Sequence, residues 1–419
     1  MGKLNIWLIQ TGEPFPFEEN VKKMRTGLLA DKLVERGHSV LWWTTAFDHF
    51  KKSWISPNDV ELELKKNLKI FTLKGKGYKK NISLSRLIDH RTVVRKFRKF
   101  SLEKPKPDII VASMPPHDLA CEAVKYAKKK GIPVLVDIRD PWPDIFLKHV
   151  PNILHIPLRT LLYKDFNMTK VAMRAADGLL AVTNPFLEWG LRYAKREKTV
   201  KDKVYCLGHK KHNLSNDSEI MNKFSKIKGV LLSKFIVFFV GTISKSYHNP
   251  LILLKAAEEL KEIENIHFVI SGDGELLKEL KKDSSGLTNV TVTGWLNQDE
   301  IEFFLQHSKV GICPATKVLD LPTNKAYAYI SAGLPVVSAF NGELKEIIER
   351  NKIGFYYPPN DVNQLVASIR NLYEDAELYT KMSQNARQVF RDMFDAEMIY
   401  EEYAQHIEKI AQNYVKDKK

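Results

Sequence analysis

The residues best placed to do chemistry lie between Asp320 and Ser338. Asp320-Leu321-Pro322-Thr323-Asn324-Lys325 reads as an amide-rich turn with a carboxylate at one end and a cation at the other. A short helix closed by Gly333 follows, and a buried strand starts near Val336. The first amides of a helix lack partners, and the helix dipole adds positive charge to them. With Lys325 beside it, such an end can hold an anion. A diphosphate would neutralise Lys325 and fill the free N–H groups, which makes Thr323, Asn324 and Lys325 binding candidates.

Three other strand-to-helix turns could contribute. Gly241-Thr242-Ile243-Ser244-Lys245 follows an apolar run and precedes a helix with Pro250 near its first position. Gly241 permits close backbone approach and Lys245 can reach a phosphate, although taken alone the turn reads as a solvated loop. In Ser271-Gly272-Asp273-Gly274-Glu275 the glycines allow a tight turn at a strand end, and no third carboxylate is near in sequence to suggest a metal. In Thr293-Gly294-Trp295-Leu296-Asn297, Trp295 either lines a base pocket or fills the core, and Asn297 with Glu300 makes a capping box. In the first half, Gly12-Glu13-Pro14 ends the first strand. Asp137-Ile138-Arg139-Asp140-Pro141-Trp142-Pro143-Asp144 sets an arginine and a tryptophan among acids in a proline-stiffened loop. That loop is either functional or a salt-bridged turn over a core Trp142.

These turns need elements to carry them. Short apolar runs alternate with amphipathic helices, which predicts an α/β chain with parallel sheets. Expected strands are 4–10, 39–45, 108–113, 133–137 and 178–183, then 235–240, 267–271, 290–293, 310–313 and 335–338. The alternation breaks over 207–233, which is polar and lysine-rich. The expected architecture is two facing Rossmann-like domains, residues 1–205 and 206–395, with a ligand cleft at the carboxyl ends of their strands. A helix over 396–419 is expected to pack back on the first domain.

Bulk properties narrow the class. At 419 residues, 44% apolar and 27% charged, the chain suits a globular enzyme of two or three domains. Cys121, Cys206 and Cys313 are scattered and form no CxxC, which points to a reducing cytosol and away from disulfides or thiolate metal sites. The first residues turn polar too soon for a signal peptide, and no apolar run reaches the ~20 residues of a membrane span. The net charge of +15 is uneven, with fifteen Lys or Arg against two acids from Lys65 to Lys106. Within that stretch Leu84, Leu87, Ile88, Val94, Phe97 and Phe100 recur at helical spacing among Arg86, Arg91, Arg95, Lys96, Arg98 and Lys99. An interfacial helix on anionic lipid and a core helix with a solvated basic face both fit. Nucleic acid ranks below them, because no nucleic-acid module accompanies the charge.

Taken in order, the turns resemble those of retaining, GT-B-fold glycosyltransferases of the family-four type, nearest to bacterial capsule and O-antigen sugar transferases. The residues carrying the resemblance are Ile6 through Pro14, Arg36-Gly37-His38-Ser39-Val40, Asp137 through Pro143, Gly272-Asp273-Gly274, Asn324-Lys325, Ser331 through Ser338, Gly342-Glu343-Leu344 and Glu346-Ile347-Ile348. The resemblance implies a hexosyl- or N-acetylhexosaminyltransferase that moves a sugar, with retention, from a nucleotide-diphosphate donor to a surface-polysaccharide or lipid-linked acceptor. It implies donor binding by the second domain, at Gly241, Lys245, Gly272, Gly274, Trp295, Thr323, Asn324 and Lys325, and acceptor binding by the first, around Gly12, Glu13 and Asp140. Arg139, Asp320 and Glu343 fall at catalytic positions. Relatives carry a spaced pair of glutamates where this chain has Asp320 and Ala328, and an arginine where it has Ile243; Glu343 is the substitute carboxylate. Lys245, Lys325 and helix amides would stabilise the leaving diphosphate, so neither a cofactor nor a metal is expected. A cytoplasmic enzyme, peripheral on the inner membrane face, is the expectation. A nucleotide-sugar epimerase on this fold and a catalytically silent scaffold are the alternatives.

Overall fold

Runs such as Ile6-Trp7-Leu8-Ile9 and Ile236-Val237-Phe238-Phe239 are apolar at every position and buried. Both faces of such strands must be covered, and a parallel sheet flanked by helices does so. The computed structural model describes residues 2–16, 23–80, 83–210, 220, 223–224, 234–245, 250–317 and 323–416. The chain divides into two compact units, Met1–Cys206 with Met398–Lys419, and Leu207–Glu397.

The first unit holds β1 (Asn5–Ile9), β2 (Ser39–Thr45), β3 (Phe47–Asp48), β4 (Ser53–Trp54), β5 (Val60–Lys65), β6 (Leu68–Leu73), β7 (Ile109–Met114), β8 (Val134–Ile138), β9 (Gly178–Ala181) and β10 (Lys203–Val204). Eight of them form a sheet ordered β10-β9-β8-β7-β1-β2-β6-β5, and β3 pairs with β4 separately. The β5–β6 pair is antiparallel and the rest of the large sheet is parallel. Strand order reverses at β1, between β7 and β2, which opens a crevice at the carboxyl ends. Trp7, Trp43 and Phe97 pack edge to face beneath the sheet, with Trp7–Trp43 and Trp43–Phe97 centroids both 5.1 Å apart. Phe97 comes from the basic helix Leu84–Phe100, so that helix contributes to the core. Its lysines and arginines are partly paired: Lys96 with Asp59 at 2.8 Å and Arg98 with Glu122 at 2.7 Å.

The second unit holds β11 (Phe235–Val240), β12 (Ile266–Ser271), β13 (Val290–Gly294), β14 (Val310–Cys313), β15 (Val336–Ser338) and β16 (Gly354–Tyr356). They form one parallel sheet ordered β13-β12-β11-β14-β15-β16, with the reversal at β11. Asn297 and Glu300 form the capping box expected of them at the start of helix Gln298–His307. Helix Asn324–Ala332 ends at Gly333, whose φ of 75° gives the left-handed turn that stops it. Of the expected linker, residues 211–219, 221–222 and 225–233 lie outside the described residues.

The last helix, Ala396–Lys416, belongs to the first unit from Met398 onward. Tyr403 stacks on Tyr205 with centroids 4.5 Å apart, and buried Glu408 accepts from Arg36 at 2.6 Å and meets His38 at 2.7 Å. Among the described residues no helix is long and apolar enough to cross a membrane.

Candidate functional site

In the second unit, three turns at the carboxyl ends of β11, β12 and β13 are laced together. Gly241 N–H donates to the Ser271 carbonyl at 3.1 Å, Ile243 N–H to Asp273 at 2.9 Å, and Gly272 N–H to Gly294 at 2.8 Å. A Cβ on Gly272 would lie 1.8 Å from the Gly241 carbonyl oxygen, and one on Gly274 2.3 Å from that of Ile243. Only backbone fits between these turns. Ile243 is buried beneath them. These glycines therefore hold Gly241 in place, and Gly241 is the one that faces Lys325: a Cβ there would lie 2.8 Å from Lys325 Nζ.

Lys325 departs from the expectation of a cation at a cleft surface. It is the second residue of helix Asn324–Ala332, and its Nζ is buried, 4.7 Å from the centroid of the Phe239 ring. Among the described residues Nζ has no hydrogen-bond partner. Burial pulls its pKa down to about 8, with the neighbouring Cys313 thiol opposing weakly. A buried ammonium without a counter-charge is expensive, so its presence calls for one. Thr323 precedes the helix and its side chain caps nothing, which leaves first-turn amides without a capping oxygen. Asn324 is exposed at the helix start. Asp320 lies outside the described residues, as do 318–319, 321–322 and 246–249.

Lys245 is exposed, and its N–H donates to Glu275 Oε1 at 2.8 Å. Trp295 is exposed rather than core, beyond the end of β13. Glu343 opens helix Glu343–Asn351 after Gly342, whose φ is 66°. Ala328 is buried inside helix Asn324–Ala332.

In the first unit, Gly12, Arg139 and Asp140 line a single cavity of about 350 Å³. Glu13 does not line it. Its buried carboxylate instead caps helix Arg25–Glu35, accepting from Thr26 N–H at 2.9 Å and Thr26 Oγ1 at 2.7 Å. Helix amides favour an anion there. Arg139 donates to Glu13, to Asp137 Oδ2 at 3.1 Å and to Thr26 Oγ1 at 2.8 Å. Asp137 also takes a bidentate pair from buried Arg25, at 2.8 and 2.9 Å. Burial pushes the Asp137 carboxyl up, and the two guanidiniums outweigh it and hold it below the usual range.

Asp140 sits in the cavity wall, where burial raises its pKa to about 6 against the pull of Arg139 and Arg86. The presence of Arg86, Tyr78, His49 and His90 in the same lining was not foreseen. Arg86 lies over the Trp142 ring at 4.9 Å and the Tyr78 ring at 5.4 Å. His49 Nδ1 and the Tyr78 hydroxyl are joined at 2.6 Å. Burial lowers His49 to about 4 and His90 to about 3, so both rings are neutral near pH 7. Asp89, the one acid of the basic helix, accepts from Lys76 and Gly77 N–H at 2.7 Å and so fixes the loop that carries Tyr78. An arginine lying over aromatic rings suits a sugar or an anion. The helix was legible, but which of its cations turned inward was not. Nothing in the sequence joined His49 and Tyr78 to Trp142.

Among the described residues no group of three His, Cys, Asp or Glu is placed to hold a metal ion.

Comparison with known proteins gives these features a setting. Residues 221–389 match the family model described as glycosyl transferases group 1. The chain is 24% identical over 296 residues to the O-antigen chain mannosyltransferase C of Escherichia coli, covering 65% of this chain and 77% of that one. It is 23% identical over 328 residues to a Campylobacter jejuni alpha-1,4-N-acetyl-D-galactosaminyltransferase named for a diphosphoundecaprenol-linked glycan, covering 77% and 81%. Its fold matches that of Anabaena HepE, solved in complex with UDP-glucose, with a TM-score of 0.64, 18% identity, and coverage of 97% and 100%. The chain therefore carries a glycosyl transferases group 1 domain at residues 221–389, on a fold that matches GT-B glycosyltransferase structures.

Proposed function

We propose that the second unit binds the diphosphate of a nucleotide sugar at Lys325, and that the sugar passes with retention to a glycan or lipid-linked acceptor whose sugar occupies the cavity of the first unit. One observation carries this reading: a buried ammonium without a partner among the described residues, pressed against a glycine at the reversal point of a parallel sheet. The names of the relatives, which transfer mannose and N-acetylgalactosamine, support a hexosyl or N-acetylhexosaminyl donor.

In the proposed reaction the bond between the anomeric carbon and the diphosphate oxygen breaks, and its electron pair leaves with the diphosphate. Lys325 and the first amides of helix Asn324–Ala332 stabilise that charge as it develops. The acceptor hydroxyl attacks from the same face and its proton goes to the leaving oxygen. Lys245 and Trp295 contact the nucleotide, and Glu343 and Asp320 contact the donor sugar. Asp140 and Arg86 hold hydroxyls of the acceptor. Lys325 supplies the positive charge that a metal provides in other designs, so transfer persists in excess chelator.

A panel of nucleotide sugars scored for thermal stabilisation, hydrolysis and anomeric configuration tests this. Stabilisation by one donor class and a product of retained configuration are expected. An epimerised sugar, or no turnover with any donor and acceptor, would overturn it.

A further inference from the structure

We infer that the segment 152–163 of the first unit is a docking face for an anionic lipid bilayer. It comprises the 3-10 turn Asn152–Leu154 and the helix His155–Leu161. Neither has a buried residue. Ile153 is 85% exposed, Ile156 78% and Leu161 79%, with Leu154 and Tyr163 exposed beside them. A seven-residue helix is marginal in water without a packed face. A run of exposed aliphatic side chains this dense marks an interaction surface.

The neighbouring groove, about 550 Å³, says what the surface meets. It is lined by Arg159, Lys170, Arg174, Arg192 and Lys195. Its one acid, Asp144, already serves Arg159 at 3.1 Å, Trp189 Nε1 at 3.0 Å and the Tyr193 hydroxyl at 2.5 Å. Among the described residues, Lys170, Arg174, Arg192 and Lys195 have no carboxylate partner. Apolar side chains that enter the acyl boundary beside cations that meet lipid phosphates are the chemistry of an interfacial helix. A symmetric pairing of two copies through this face would bring like charges together. The helix Leu84–Phe100 fits the role less well. Phe97 is in the core, and Lys96 and Arg98 are bound to Asp59 and Glu122.

The inference stands on surface chemistry and is independent of the donor reading. The test is sedimentation of the full chain with phosphatidylcholine vesicles containing about a third phosphatidylglycerol. Wild type should bind these, ignore pure phosphatidylcholine, and release as salt rises. Ile156→Glu with Leu161→Glu, and separately Lys170→Glu with Arg174→Glu, should each weaken binding ~10-fold or more. Arg95→Glu with Lys99→Glu should change it less than ~2-fold, because those side chains lie on the other helix. Melting temperature should be unchanged in every variant, since all these side chains are exposed. No binding by wild type at low salt, undiminished binding by the 156/161 variant, or loss only in the 95/99 variant would overturn the inference. So would lipid-free self-association that the 156/161 variant abolishes.

Discussion

The two units handle buried charge in opposite ways. In the first, Arg25, Asp137, Arg139 and Glu13 form a chain in which each charge has a partner, and helix amides take what remains of Glu13. In the second, Lys325 is buried without a partner among the described residues. A satisfied network holds a fold in register, and removing one member leaves the others exposed to the desolvation cost. An unsatisfied buried ammonium weakens the free protein. On the proposed reading it gains its partner when the donor diphosphate binds, so the contrast would separate residues that build the site from residues that bind.

The sharpest way to break the comparison is Asp137→Ala. It would leave the fully buried Arg25 without a carboxylate and take one of two from Arg139, and should cost about 3–5 kcal/mol in chemical denaturation. A loss below about 1 kcal/mol would mean that the network is not what holds this loop.

The second test is pH dependence, read as the difference in stability between wild type and Lys325→Met. The Lys325 pKa in the folded state, about 8, is below its ordinary value of 10.5. Between those values the unfolded chain holds more protons, so wild-type stability relative to the variant should rise with pH from 8 to 10.5, by roughly 1–3 kcal/mol. A flat difference would show that the ammonium already has a partner in the free protein.

Gly241→Ala addresses the same contact from the other side. The added methyl would meet Nζ at 2.8 Å and Cε at 3.1 Å. Nucleotide-diphosphate affinity should fall by about 1.5–3 kcal/mol, the range for a charged hydrogen bond, measured by calorimetry.

The smallest effect belongs to Asp140. Its folded pKa, about 6, lies above its ordinary 3.8. The unfolded chain therefore loses the proton first, and stability falls as pH rises between those values. Asp140→Asn should match wild type near pH 4 and exceed it by about 1–2 kcal/mol at pH 7 in thermal melts. Equal stability at both pH values would remove the carboxylate from the buried wall.

How much of this was legible follows from which residues act locally. The strand-end turns at Gly12, Arg139, Gly241 and Gly272, and the capping box at Asn297, follow from short-range spacing. All of them are found as turns or caps in the structure. The burial of Lys325 was not legible, because Phe239 and Gly241 create it from a strand far away in sequence. Glu13 looked like a cleft residue because nothing local reveals that it caps a helix starting at Arg25. Neither Val60–Lys65 nor Leu68–Leu73 was among the expected strands; the two pair antiparallel, and Lys69 and Lys104 reach Glu61 there. Trp295, open to either reading, is exposed.

The central claim is that Lys325 waits for a diphosphate. The most direct measurement is calorimetric titration of the nucleoside diphosphate of the donor that the panel selects into wild type and Lys325→Met at pH 7, with melting of both proteins free of nucleotide. The account predicts that the variant melts at or above the wild-type temperature while its nucleoside-diphosphate affinity drops by ~10–100-fold. A variant that melts lower and binds that nucleotide as wild type does would make Lys325 part of the packing and contradict the account.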